Sequence, residues 1–323
     1  MNRRIIKLII GFLVIGINLN SKNPDTLSTA GPGSYKILIN ENDTVKIPFK
    51  MRNGKPVMDL EINGKRAALM IDNGILWDPV WLFGSTIVNE LKLTPVQKDS
   101  MSGTNTEEPT GLYSSKNLKL TFEEIIFYEQ PVLISPPSAG FAQMFPGVDG
   151  QLSSTFFKHF IVEFDFIKSE IILHDHEKFY YKGDGSILDM QLTETGTHSV
   201  PFQITMNDGT VYKDRADLDL GGIYSFKIAL NTKHAIQPPV NAKARPFFGG
   251  TEYIAKIKSM TIGDYTFEQP IVVFGDEKTS RVHPQNLGVI GLPLFMKFNI
   301  IFDYFNNNIY IKLNKNFDEP IME

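Results

Sequence analysis

Two segments of the chain run apolar residues into Asp-x-Gly: Ala67-Ala68-Leu69-Met70-Ile71-Asp72-Asn73-Gly74 and Ala216-Asp217-Leu218-Asp219-Leu220-Gly221-Gly222. One such motif alone is ordinary turn chemistry, because Asp bonds nearby backbone and Gly accepts positive φ. Two of them at matching points of a duplicated chain have a further use. Carboxyls held about 3 Å apart cannot both ionise cheaply, so they keep one proton between them and titrate as a unit. One member is then a base and the other an acid.

Such a pair requires a fold that brings residues 72 and 219 together, and the sequence contains a repeat suited to it. Phe127-Tyr128-Glu129-Gln130-Pro131-Val132-Leu133-Ile134 parallels Thr266-Phe267-Glu268-Gln269-Pro270-Ile271-Val272-Val273, with Glu-Gln-Pro identical. Residues 157–166 parallel 295–304, and 171–173 parallel 309–311, both at an offset of 138. Blocks repeated in register indicate two homologous lobes, joined near residues 176–198. Equivalent points of two lobes related by a pseudo-twofold meet at its axis, where each lobe contributes one carboxylate.

The elements around the motifs are short β-branched and aromatic runs separated by Gly, Asn, Asp and Pro. Strands are predicted at 35–39, 57–62, 67–71, 118–122, 131–134, 161–166 and 171–173, with tight turns at Asn53-Gly54, Asn63-Gly64 and Asp208-Gly209. The expected fold is mostly β and two-lobed, with few short helices. Its expected divisions are a leader over 1–20, a flexible tether over 21–34, an N-terminal lobe over 35–185 and a C-terminal lobe over 186–323.

Composition narrows the function classes. Of 323 residues, 42% are apolar and 21% charged, which excludes disorder, collagen and coiled coil. Lys plus Arg is 32 against 36 Asp plus Glu, a balance that argues against a nucleic-acid partner. The chain has no cysteine, so disulfides, iron–sulfur clusters and thiolate zinc sites are excluded. Arg3, Arg4 and Lys7 precede an apolar run over 8–17, which reads as a removable export leader. That run is shorter than the roughly 20 residues a spanning helix needs, and no second candidate span follows. An exported protein (periplasmic, envelope or extracellular) without a membrane span is expected.

The arrangement resembles the retropepsin-like and pepsin-like aspartic peptidases, in particular the bacterial two-lobed aspartyl proteases, over about residues 45–315. In that family each lobe carries two hydrophobic residues and Asp-Thr/Ser-Gly, then a flap hairpin, then a hydrophobic-hydrophobic-Gly segment beside the aspartate loop. Val289-Ile290-Gly291 matches the later segment. In the first half Gly147-Val148-Asp149-Gly150-Gln151-Leu152-Ser153 takes that place, with Ser153 where the family has Gly. The resemblance implies that Asp72 and Asp219 hold a water for attack on a peptide carbonyl, with no cofactor and no metal. Gly74 and Gly221 then permit the close approach of backbone to the carboxylates. The family's Thr or Ser after each Asp bonds across the axis, whereas here those positions are Asn73 and Leu220. Asn keeps a donor and an acceptor, but Leu has neither and leaves at least one cross-axis bond unmade, worth about 1 kcal/mol.

Three functions are consistent with these residues: an aspartic endopeptidase, a degenerate homologue that binds extended peptides, and an envelope-associated structural β-protein whose Asp-x-Gly loops are only turns. A polypeptide substrate or peptide ligand is the expected partner. Flap candidates are Gly111 and Tyr113 in the first half and Phe248, Gly249 and Gly250 in the second. Asp217 shares a strand face with Asp219 and is a possible substitute for it. Asp165 and Asp303 read as strand-end turn residues. His174-Asp175-His176-Glu177 has metal-ligand types but reads as a turn, and Trp77 and Trp81 read as packing or subsite residues.

Overall fold

The computed structural model describes residues 33–38, 44–74, 80–84, 86–93, 96–101, 110–193, 196–230, 234–247, 250–276 and 285–317. Their strands form three sheets. In the first sheet, Ile125–Ile134 runs parallel to Val80–Leu82, which is antiparallel to Gly150–Leu152, which in turn is parallel to Lys65–Ile71. The second sheet has the same sequence of senses: Ile271–Gly275 parallel to Phe226–Ala229, antiparallel to Gly288–Gly291, parallel to Val211–Asp219. Each aspartate strand is thus flanked by a later strand of its own half, and Asp219 lies in register with Gly291.

The third sheet draws strands from both halves, which the sequence reading does not anticipate. Its antiparallel order is Ser186–Asp189, Asn308–Leu313, Phe298–Asp303, Phe160–Asp165, Glu170–Asp175 and Thr44–Pro48. At its centre Glu163 pairs with Ile301, flanked by Val162 with Phe302 and Phe164 with Ile300. Residues 163 and 301 are 138 positions apart, the spacing read between the similar segments of the sequence. The sheet is a platform under both lobes and fixes the loops above it relative to one another.

Local chemistry explains the tight connections. Asn53-Gly54 and Asn63-Gly64 both have positive φ at both positions, the geometry of a hairpin turn that Asn and Gly tolerate. The strand Lys65–Ile71 is buried on both faces along 67–71. Leu69 and Ile71 enter the main core, whereas Ala68 and Met70 join Val57, Trp81, Phe83, Leu133 and Val148 in a second cluster capped by Phe141 and Phe145. A strand covered on both sides has its register fixed, because a one-residue slip would exchange the two apolar sets. The fold is mostly β and two-lobed, with three short α-helices among the described residues. No helix among those residues is long and apolar enough to cross a membrane.

Candidate active site

Asp72 and Asp219 leave the ends of equivalent strands and meet between the lobes. Asp72 is held at its root by its own N–H, which donates to the Leu152 carbonyl at 3.0 Å. Its carboxylate accepts the Gly74 N–H at 2.8 Å and also the N–H of Gly221 from the opposite loop. The two glycines are required by proximity: a Cβ on Gly74 would stand 2.6 Å from Asp219 Oδ1, and one on Gly221 would stand 2.5 Å from Asp72 Cγ. Each carboxylate therefore occupies the space that a side chain on the opposing loop would fill.

The electrostatics follow from that packing. Burial first, and Asp219 second, push the Asp72 carboxyl up to about 7, against the Gly74 N–H, the Lys55 ammonium and the Gly221 N–H. The Tyr224 hydroxyl donates to Asp219 Oδ2 at 2.8 Å. Two carboxyls this close, with little water around them, keep one proton between them.

Asn73 performs half of the cross-axis bonding and adds a partner of its own. Its Oδ1 accepts the Leu220 N–H at 2.8 Å, and its Nδ2 donates to the Tyr304 hydroxyl at 3.1 Å. Tyr304 follows the platform strand Phe298–Asp303, so the platform is bonded directly to the aspartate loop. His198 stacks on Tyr304 with ring centroids 3.7 Å apart. Leu220 is fully buried in the main core, so its side chain contributes packing where a hydroxyl would have contributed a bond.

The later segments lie beside the aspartate strands. Val289, Ile290 and Gly291 form the strand parallel to Val211–Asp219, and a Cβ at Gly291 would collide with the Tyr224 carbonyl. Ser153 is buried in the corresponding place and its Oγ accepts from Gln151 at 3.4 Å. Asp217 is engaged away from the pair, accepting the Asn286 amide at 2.5 Å. Asp165 and Asp303 accept local backbone N–H groups from residues 167 and 168 and from 306. His174 pairs with Glu163 at 2.8 Å. Trp81 packs edge-on to Phe83 and Phe141, and Trp77 lies outside the described residues.

The flap candidates are less uniform. In the second half Lys243–Phe247 and Gly250–Lys256 form a hairpin in which Phe247 faces Gly250, with Phe248 and Gly249 outside the described residues. In the first half Gly111 pairs with Ser100 in the hairpin of Val96–Met101 and Thr110–Thr121. Tyr113 is half-buried against the main core, in the position of a packing aromatic.

Lys55 and Tyr224 belong to the site and carry no recognisable signal in the sequence. Lys55 follows the Asn53-Gly54 turn, where a lysine ordinarily faces water, yet it is fully buried and its ammonium donates to the Gly221 carbonyl. Tyr224 lies beyond the motif, and only the turn of the loop brings its hydroxyl back to Asp219.

Neither the protein-family models nor the curated sequences give a match. Among solved structures, an aspartic proteinase from Irpex lacteus aligns with a TM-score of 0.53 at 13% identity, covering 86% of this chain and 100% of that one. The basic 7S globulin of soybean aligns with a TM-score of 0.51 at 12% identity, covering 84% and 95%. The chain has the two-lobed fold of the pepsin-like aspartic proteinases.

Proposed function

We propose that the protein is an aspartic-type endopeptidase acting on extended polypeptide segments, with Asp72 and Asp219 as its catalytic residues. One observation carries this: the Asp72 carboxylate accepts N–H groups from Gly74 and Gly221, glycines of opposing loops, and lies beside Asp219. In the reaction a water between the carboxyls gives a proton to the ionised member of the pair as its oxygen attacks the peptide carbonyl carbon. The protonated member gives its proton to the carbonyl oxygen, and the resulting diol then collapses, the C–N bond breaking as the pair passes a proton to the leaving nitrogen. The reading extends to duplicated, retropepsin-like lobes and to export through residues 1–20.

The test is cleavage of a mixed unstructured peptide library by the purified protein between about pH 3 and 8, beside Asp72→Asn and Asp219→Asn. Turnover that falls at least about 10³-fold in both variants, with an alkaline limit near pH 7, is the expected result. A folded protein that cleaves nothing at any pH would refute it. The second reading is a non-catalytic relative that binds peptides in the same cleft, and Leu220 favours it because its side chain makes no bond across the axis to match that of Asn73. Retained peptide binding without turnover distinguishes that case.

A further inference from the structure

Lys55 is the one fully buried lysine whose charge faces the carboxylate pair among the described residues. Its side chain starts at the beginning of Lys55–Ile62 in the first sheet, and its ammonium donates to the Gly221 carbonyl of the opposite loop. The N–H of the same Gly221 is bonded to Asp72, so ammonium and carboxylate are attached to the two ends of one residue. The anions acting on the ammonium are Asp219 and Asp72, while burial opposes its charge. A buried cation is tolerated only when it is matched. Two carboxyls sharing one proton carry a single negative charge, which matches it.

We propose that Lys55 is a positioning residue of the carboxylate pair, whose ammonium, fixed on the Gly221 carbonyl, sets the pH range in which Asp72 and Asp219 keep one shared proton. Its charge opposes protonation of the last carboxylate and favours release of the shared proton. Both limits of the singly protonated state therefore lie lower than they would without it. On the peptidase reading, on which the functional consequence rests, Lys55 extends the working range toward acid and sets its neutral limit. The other groups around the pair are the Tyr224 hydroxyl on Asp219 and Tyr304, which reaches the Asp72 loop through Asn73. Lys227 lies over the Tyr224 ring and is matched by Glu252, and Arg52, opposite Lys55 in the strand pairing, is bound to Asp59.

The experiment is a carboxyl ¹³C NMR titration of the protein labelled at Asp Cγ, with Asp72→Asn and Asp219→Asn used for assignment. It is repeated for Lys55→Met, which keeps length without charge, and Lys55→Arg, which keeps charge. The expected result is that both midpoints of the pair rise by about one pH unit or more in Lys55→Met and stay near wild type in Lys55→Arg. Unmoved midpoints in Lys55→Met, or an equal shift in Lys55→Arg, would overturn the proposal. Should Lys55→Met not fold, the ε-¹³C signal of Lys55 in the wild type decides: it must follow the titration of the pair, and a signal that does not respond rejects the coupling. The readout is independent of turnover. Midpoints that shift in a protein that cleaves nothing leave this proposal standing and remove the peptidase reading, and unmoved midpoints in an active enzyme do the reverse.

Discussion

The Asp72 side chain is costly to ionise in the folded protein. Its carboxyl is raised from 3.8 to about 7, so between these values the folded state holds a proton that the unfolded chain has released. Stability from this residue is present below about pH 4 and is lost as pH rises toward 7. Asp72→Asn is therefore expected to raise the melting temperature at pH 8 while changing it little at pH 4, each kcal/mol being worth about 2–4 °C. Thermal unfolding of both proteins at the two pH values checks this. His198 has the opposite slope. Burial lowers it from 6.5 to about 4, so the unfolded chain takes up a proton first and stability is lost as pH falls between those values. Its Nδ1 is buried without a partner, and His198→Phe keeps the stacking on Tyr304. That variant is expected to lose less stability than wild type between pH 6.5 and 4, measured by the same melts.

Among the elements, the second-half hairpin is anchored more strongly than its surface position implies. Glu252 on the strand Gly250–Lys256 forms an ion pair with the Lys227 ammonium at 2.6 Å, with both side chains 1% exposed, and another with Arg245 at 2.9 Å. Removing one charge from a buried pair leaves the other unmatched, at a cost of about 3–5 kcal/mol. Glu252→Gln should therefore lower the denaturant midpoint markedly, and a midpoint unchanged from wild type would show the pair to be energetically silent. The strands, the two Asp-x-Gly loops and the later Val289-Ile290-Gly291 segment were legible in the sequence because each depends on local periodicity or on turn chemistry. Lys55, Tyr224, Tyr304 and Glu252 were not, because their roles arise from contacts between segments far apart in sequence. A lysine after an Asn-Gly turn and a glutamate in a hairpin both read as solvated residues until the partner segment is placed. The platform was illegible for a related reason: the repeat specifies two similar blocks, and only their pairing at Glu163 and Ile301 makes a third sheet.

At the scale of the whole molecule, the two halves are joined through their own backbone. Separating them opens the edge of Phe160–Asp165 that Phe298–Asp303 covers, and an open strand edge recruits another. Residues 35–185 expressed alone are accordingly expected to self-associate, two copies pairing at Glu163, with sedimentation giving at least twice the monomer mass. A well-behaved monomer would contradict this. The same construction governs how the protein comes into being. Synthesis delivers the chain from its N-terminus, so the segment bearing Asp72 emerges well before the one bearing Asp219, and the strand opposite Phe160–Asp165 emerges later still. A single growing chain lacks the assembled pair until both halves and the strand Phe298–Asp303 have emerged. Whatever chemistry the two carboxylates perform within one chain is thereby withheld until synthesis is nearly finished.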